Sequence, residues 1–361
     1  MDEKYPLSKK MKKLIALSNM FTERDVDKLT PEVIENLNKK TIPSSRFVRK
    51  LFNKPAPHIS QTTYVIPVTE GAITVHFFSS SDDLARTSLK PLIIYIHGGG
   101  WVLGNMDLYG LYCAHIAAVT NSSVLLLDYR LAPQYKFPTA IEDCYDAYLW
   151  ALQGIKYWKV DPDSIYFMGD SAGGAIAAGL SLLARDRKIQ LPIGQILIYP
   201  VTDGRLRTES FQKYGDSPTL TDKMMKFYIS CYQREPKDIL SPLFSPLLAQ
   251  DLSRLPDTLI IGAEFDPLKD DGRLFANALN VSGSNANYIE IKGTVHGFIN
   301  YPKAVGAEET DCMIRQFTSG RPIDKIQPIT EAELKRQGRL KMQEASQKFK
   351  AKANKQEEKD E

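Results

Sequence analysis

A serine framed by glycines, a late histidine and an acid between them could together perform nucleophilic acyl chemistry in this 361-residue chain. Gly169-Asp170-Ser171-Ala172-Gly173 follows the apolar run Ile165–Met168 and precedes the helix-like AIAAGLSLLAR. A strand, a sharp turn and a helix form the context in which G-x-S-x-G lifts a serine hydroxyl above a sheet edge. The glycines suit a strained turn and a helix that lies close to it. The helix N-terminus behind Ser171 favours negative charge.

A serine hydroxyl needs a base to take its proton, and histidine suits that task near neutral pH. The chain has five: His58, His76, His97, His115 and His296. In this arrangement the nucleophile comes first, then the acid, then the histidine. Only His296 follows Ser171, in a loop just past the apolar run Tyr288–Ile291. The acid should lie between them, and Gly262-Ala263-Glu264-Phe265-Asp266-Pro267-Leu268 follows the run Thr258–Ile261. Asp266 stands before a proline, which biases its backbone toward an extended shape that can aim a carboxylate. Glu264 is a rival that spacing does not separate from it. Asp270 and Asp271 read instead as first-turn acids of the next helix.

The tetrahedral intermediate also needs amide donors for its oxyanion, and losing one costs about 10² to 10³ in rate. Ala172 supplies one amide as the residue after the nucleophile. His97-Gly98-Gly99-Gly100-Trp101, after the run Leu92–Ile96, offers the others. His97 precedes the serine, so its ring is read as a brace for the glycine loop. Trp101 and Tyr199 could equally line a pocket or pack in the core.

These residues need a scaffold. Thr62–Pro67 and Ala72–Phe78 read as a hairpin. Beyond them, Leu92–Ile96, Ser123–Asp128, Ile165–Met168, Gln195–Tyr199, Thr258–Ile261 and Tyr288–Ile291 alternate with helical stretches. Short apolar runs suit strands covered on both faces, and the alternation argues for a mainly parallel sheet of βαβ units. Between Val201 and Thr258 lie more than fifty residues, including the helical Asp222–Gln233. That far exceeds the usual connection of about 2–6 residues plus a helix. An insert at the carboxyl ends of strands can cover a ligand crevice, so it reads as a lid working with the N-terminal helices.

The expected organisation is a helical cap region over 1–55 and a catalytic domain over 56–320, with the cap insertion at about 204–245. In the first part, Thr30 and Pro31 open a helix. A charged tail occupies 321–361, where Met342, Ala345 and Phe349 have helical spacing on a solvated segment. The net charge is +3. With the tail's excess of bases set aside, no basic face for nucleic acid remains. No segment approaches the ~20 apolar residues of a membrane span. Met11–Met20 reads as an amphipathic helix, too short in its apolar part for a leader. The four cysteines are widely spaced and read as free thiols in a cytoplasmic protein. The residues carry no sign of oligomeric state.

With HGGGW, GDSAGG, DPL and HGF in this order, residues 60–318 closely resemble the hormone-sensitive-lipase family of esterases. Asp128-Tyr129-Arg130-Leu131-Ala132-Pro133 adds to the likeness. GAEFDPLKDDGRLF and HGGGWVLGNMD look most similar to the bacterial acetyl esterases. The resemblance implies the α/β-hydrolase fold: an eight-stranded, mostly parallel sheet flanked by helices, with a helical cap. It implies a Ser171, His296 and Asp266 triad, which demotes Glu264, and oxyanion donors at Gly99, Gly100 and Ala172. It further implies short acyl esters as substrates, with no cofactor and no metal. Gln134 departs from the glutamate usual after the YRLAP motif, which touches local packing only. Two rival readings share the frame: an amidase or deacetylase on the same triad, and a non-catalytic small-molecule binder.

Overall fold

Eight runs rich in Val, Ile, Leu and Tyr form strands, because branched and aromatic side chains pack well on a pleated surface. They are β1 (Ile59–Val68), β2 (Gly71–Ser80), β3 (Lys90–Ile96), β4 (Ser123–Asp128), β5 (Val160–Asp170), β6 (Gly194–Ile198), β7 (Asp257–Phe265) and β8 (Ala286–Val295). The computed structural model describes residues 4–19, 23, 25–39, 56, 58–80, 88–301 and 304–320. The expected helical region at 40–55 and the charged tail at 321–361 lie outside the described residues.

The strands make one sheet in the order β1-β2-β4-β3-β5-β6-β7-β8. β1 and β2 form an antiparallel hairpin, β2 runs antiparallel to β4, and every later pairing is parallel. The helices are α1 (Lys9–Asn19), α2 (Pro31–Lys39), α3 (Met106–Thr120), α4 (Thr139–Gly154), α5 (Ala172–Asp186), α6 (Glu209–Tyr214), α7 (Asp222–Tyr232), α8 (Lys269–Val281) and α9 (Ala307–Thr318).

Successive side chains on a strand point to opposite faces. On β3, Leu92, Ile94 and Ile96 therefore join the core beneath α4, α5 and α8. Ile93 and Tyr95 join the one beneath α3 and α9, where Met11 and Ile15 of α1 also pack. Both faces of the central strands are covered, which is why those strands read as unbroken apolar runs rather than alternating ones.

The long connection holds α6 and α7. Helix α7 packs against the N-terminal segment: Val26, Leu29 and Ile34 share one buried cluster with Met224, Tyr228 and Ile229. Lys223 also pairs with Asp27 at 2.6 Å, with both side chains mostly exposed. Exposed pairs contribute about 0–1 kcal/mol, so the apolar contact dominates this attachment. At the other end of the insert, Asp216 accepts hydrogen bonds from the Lys4 ammonium and the Tyr5 hydroxyl. Among the described residues, no helix is long and apolar enough to cross a membrane. The four cysteines are free.

Candidate active site

The serine stands where β5 turns into α5. Ser171 has φ 54° and ψ −120°, a conformation that costs a non-glycine residue about 1–3 kcal/mol. Hydrogen bonds hold it there. Its N–H donates to the Ile198 carbonyl at 2.9 Å, and its own carbonyl accepts from Val201 N–H at 3.2 Å. Two residues on, Gly173 lies against the backbone of Ile96 and His97, so any side chain there would collide with it. That close approach seats the first turn of α5 beside the end of β3.

The candidate base and acid arrive on neighbouring strands. β7 and β8 pair past the apolar body of the sheet, through a register irregularity, to the rung Phe265↔Val295. Asp266 and His296 come immediately after those two strand ends, which places them side by side. His296 Nδ1 lies 2.7 Å from Asp266 Oδ2, and His296 Nε2 lies 2.9 Å from Ser171 Oγ. Asp266 is fully buried, and its Oδ1 accepts the Leu268 N–H at 2.8 Å. With a carboxyl oxygen as the acceptor on that side, the hydrogen-bond pattern assigns the ring proton to Nδ1 and leaves Nε2 able to accept. Ser171 and His296 are also buried, each 8% exposed.

The other acids are engaged elsewhere. Glu264 accepts the Gly293 N–H at 2.7 Å, two residues before the pairing rung on β8. Asp270 accepts the Ser210 N–H at 2.8 Å and pairs with Arg273. Asp271 accepts the N–H groups of Thr202 and Asp203. Burial pushes the Asp271 carboxyl well above the usual range, and those two amides oppose it.

The glycine loop borders the elbow. Gly99 takes φ 106°, and a side chain there would run into the Leu103 carbonyl. Gly100 has φ 65° and Trp101 φ 62°. The Leu103 N–H closes the turn on the Gly99 carbonyl at 2.8 Å. His97 is fully buried, hydrogen-bonded from Nδ1 to the Gly98 carbonyl at 2.7 Å and stacked on Tyr129 at 4.3 Å. Burial lowers its pKa to about 4, so it is a neutral brace. Trp101 and Tyr199 are both 1% exposed. Trp101 stacks on Tyr232 at 4.8 Å, and Tyr199 lies 4.5 Å from the His296 ring. Both belong to the packed interior.

Sequence reasoning missed Asp170, although it sits inside the serine motif. Its buried carboxylate accepts the Tyr95 hydroxyl at 2.8 Å, the Gly98 N–H at 2.9 Å and the Tyr109 hydroxyl at 3.4 Å. Burial raises its pKa, against those bonds. It thereby ties the glycine loop to the elbow. The available signal was a charged residue between a buried strand and a buried helix, which must find partners.

A mostly parallel sheet, a serine on a strained strand–helix turn, and an imidazole and carboxylate from the last two strands define an α/β hydrolase. Residues 93–300 match the model of a family described as alpha/beta hydrolase fold, and the chain belongs to that family. The motif resemblance to the hormone-sensitive-lipase-like esterases holds with it. An arylesterase of Saccharolobus solfataricus is 38% identical over 221 residues, covering 61% of this chain and 72% of that protein. An ethyl acetate hydrolase of Pseudomonas putida is 36% identical over 220 residues, covering 61% and 69% respectively. Among solved structures, carboxyl esterase 2 of the fungus Tuber melanosporum superposes with a TM-score of 0.77 at 29% identity, over 88% of this chain and 100% of that one.

Proposed function

We propose that this chain is a serine carboxylesterase that hydrolyses short-chain acyl esters through Ser171, His296 and Asp266. The observation that carries the reading is the continuous hydrogen-bonded line from Ser171 Oγ through the His296 ring to the Asp266 carboxylate. In the first step Ser171 Oγ attacks the ester carbonyl while His296 Nε2 takes its proton. Asp266 holds the ring's tautomer and stabilises the imidazolium. The amides of Gly99, Gly100 and Ala172 receive the oxyanion, aided by the positive end of α5. His296 then protonates the leaving alcohol, and water releases the acid by the reverse route.

Ester hydrolysis is favoured over amide hydrolysis or simple binding by the esterase relatives and by the complete set of acyl-transfer groups. The ethyl acetate hydrolase relative supports a small acyl group. The N-terminal helices and the insert at about 204–245 serve as the cap in this reading, and their shared apolar cluster supports it. A cytoplasmic setting belongs to the same proposal and agrees with the free thiols.

Ser171→Ala tests the reading. The variant should fold with a wild-type circular dichroism spectrum and lose nearly all turnover of p-nitrophenyl acetate, together with fluorophosphonate labelling. Wild-type turnover in that variant would end the proposal.

A further inference from the structure

We infer that Asn38, on α2 in the N-terminal segment, is a positioning residue that holds the oxyanion loop in its working shape. This rests on the reading of the glycine loop as the oxyanion donor. Asn38 Nδ2 donates to the Val102 carbonyl at 3.0 Å, and Asn38 Oδ1 accepts the Gly104 N–H at 2.9 Å. One amide side chain thus grips the peptide groups on both sides of Leu103. Leu103 is the residue that supports Gly99. Its N–H closes the turn on the Gly99 carbonyl at 2.8 Å, and its own carbonyl stands against the Gly99 α-carbon. A shift of Leu103 therefore moves Gly99, whose amide has to meet an oxygen that carries charge only in the transition state.

Asn38 acts from a fixed base. Ile34, one turn earlier on α2, is buried in the cluster shared with α7. The Thr30 hydroxyl caps the helix through the Val33 N–H at 3.3 Å. On the other side of the loop, the Tyr228 ring of α7 lies over Gly100. The N-terminal segment and the insert thus each touch the glycine loop, so the loop's shape depends on both being seated. No sequence motif marks Asn38, since its partners lie 64 and 66 positions away.

The test compares wild type, Asn38→Ala and Asn38→Asp at a temperature well below each protein's Tm. The readouts are kcat and KM for p-nitrophenyl acetate and Ki for a trifluoromethyl ketone, whose serine hemiketal carries an oxyanion. Losing one oxyanion donor costs about 10²–10³, and a displaced donor should cost about tenfold or more. Asn38→Ala should therefore lower kcat and raise Ki by similar factors of about tenfold or more, with KM changed less than about threefold. Asn38→Asp keeps the acceptor for Gly104 but turns a carboxylate oxygen on the Val102 carbonyl, so its kcat and Ki should be hurt at least as much as in Asn38→Ala. It also carries the test if Asn38→Ala fails to fold. A lowered Tm with kcat and Ki within about twofold of wild type would mark a merely structural contact and overturn the inference. A change confined to KM would overturn it too. A wild-type enzyme that neither turns over the ester nor binds the ketone would instead defeat the esterase reading itself.

Discussion

Replacing Asp266 by asparagine changes almost nothing in shape and should nearly abolish turnover. The reason lies in how the buried side chain is held. One oxygen accepts the Leu268 N–H at 2.8 Å and the other faces His296 Nδ1 at 2.7 Å. In the amide, turning the NH₂ toward Leu268 would set two buried donors against each other, at a cost of about 1–3 kcal/mol. The amide oxygen therefore stays on Leu268 and the NH₂ faces Nδ1. The ring must then accept there and carry its proton on Nε2, which points at Ser171 and can no longer take the hydroxyl proton. Even when the ring reaches the useful tautomer, the imidazolium lacks its counter-charge, worth about 4 kcal/mol at ~4 Å in an effective dielectric of ~20. Together these predict a fall in kcat of roughly 10⁴. A loss of that size is known for the equivalent change in a serine protease triad. The assay is kcat for p-nitrophenyl acetate at about pH 7.5, with Tm as the folding control. Asp266→Ala loses the charge but does not force the wrong tautomer, so it should be no worse than Asp266→Asn. An asparagine variant within about tenfold of wild-type kcat would refute the tautomer argument, as would an alanine variant more than about tenfold below it.

Two further outcomes follow from the surrounding contacts. Glu264→Gln keeps an acceptor for the Gly293 N–H, so kcat should stay within about threefold of wild type. A collapse matching that of Asp266→Asn would mean that the acid has been misassigned. His97 should make the fold acid-sensitive. Its imidazole binds a proton below about pH 6.5 when unfolded but only below about 4 when buried, so the unfolded chain holds more protons in between. Stability therefore falls as pH drops through that window, by about 3 kcal/mol at 1.36 kcal/mol per pH unit. Urea unfolding of wild type and His97→Asn at pH 7 and pH 4.5 reads this directly. The wild-type advantage should narrow on acidification, and a constant gap would remove His97 as the cause.

Strands β3 to β8 were legible because they are largely buried and leave apolar runs, whereas the mostly exposed β1 and the partly exposed β2 were legible as a hairpin. The ends were not. Tyr288–Ile291 extends to Ala286–Val295, and Thr258–Ile261 to Asp257–Phe265. There the pairing passes through a register irregularity at Glu264, Lys292 and Gly293, where the Gly293 N–H goes to the Glu264 carboxylate, and polar residues of that kind leave no apolar run. The helix at Asp222 ends within a residue of the expected place, since Thr221 caps its first turn. Motif and chain order pointed to Ser171 and His296 as candidates, which stand within hydrogen-bond distance of each other. Choosing Asp266 as their candidate partner needed the family likeness, because Glu264 sits at almost the same spacing. Asp170 and Asn38 stayed hidden, since their hydrogen bonds exist only once distant backbone groups have been brought to them.

The rung joining Phe265 to Val295 has a consequence for rebuilding the enzyme. One added residue ahead of either Asp266 or His296 would advance that side chain by about 3.3 Å, more than the whole hydrogen bond between them. Residues 257–296 therefore form one block that carries the proposed acid and base in alignment. A chimera exchanging that block entire inherits their spacing, whereas a crossover inside it leaves the pair to two parents.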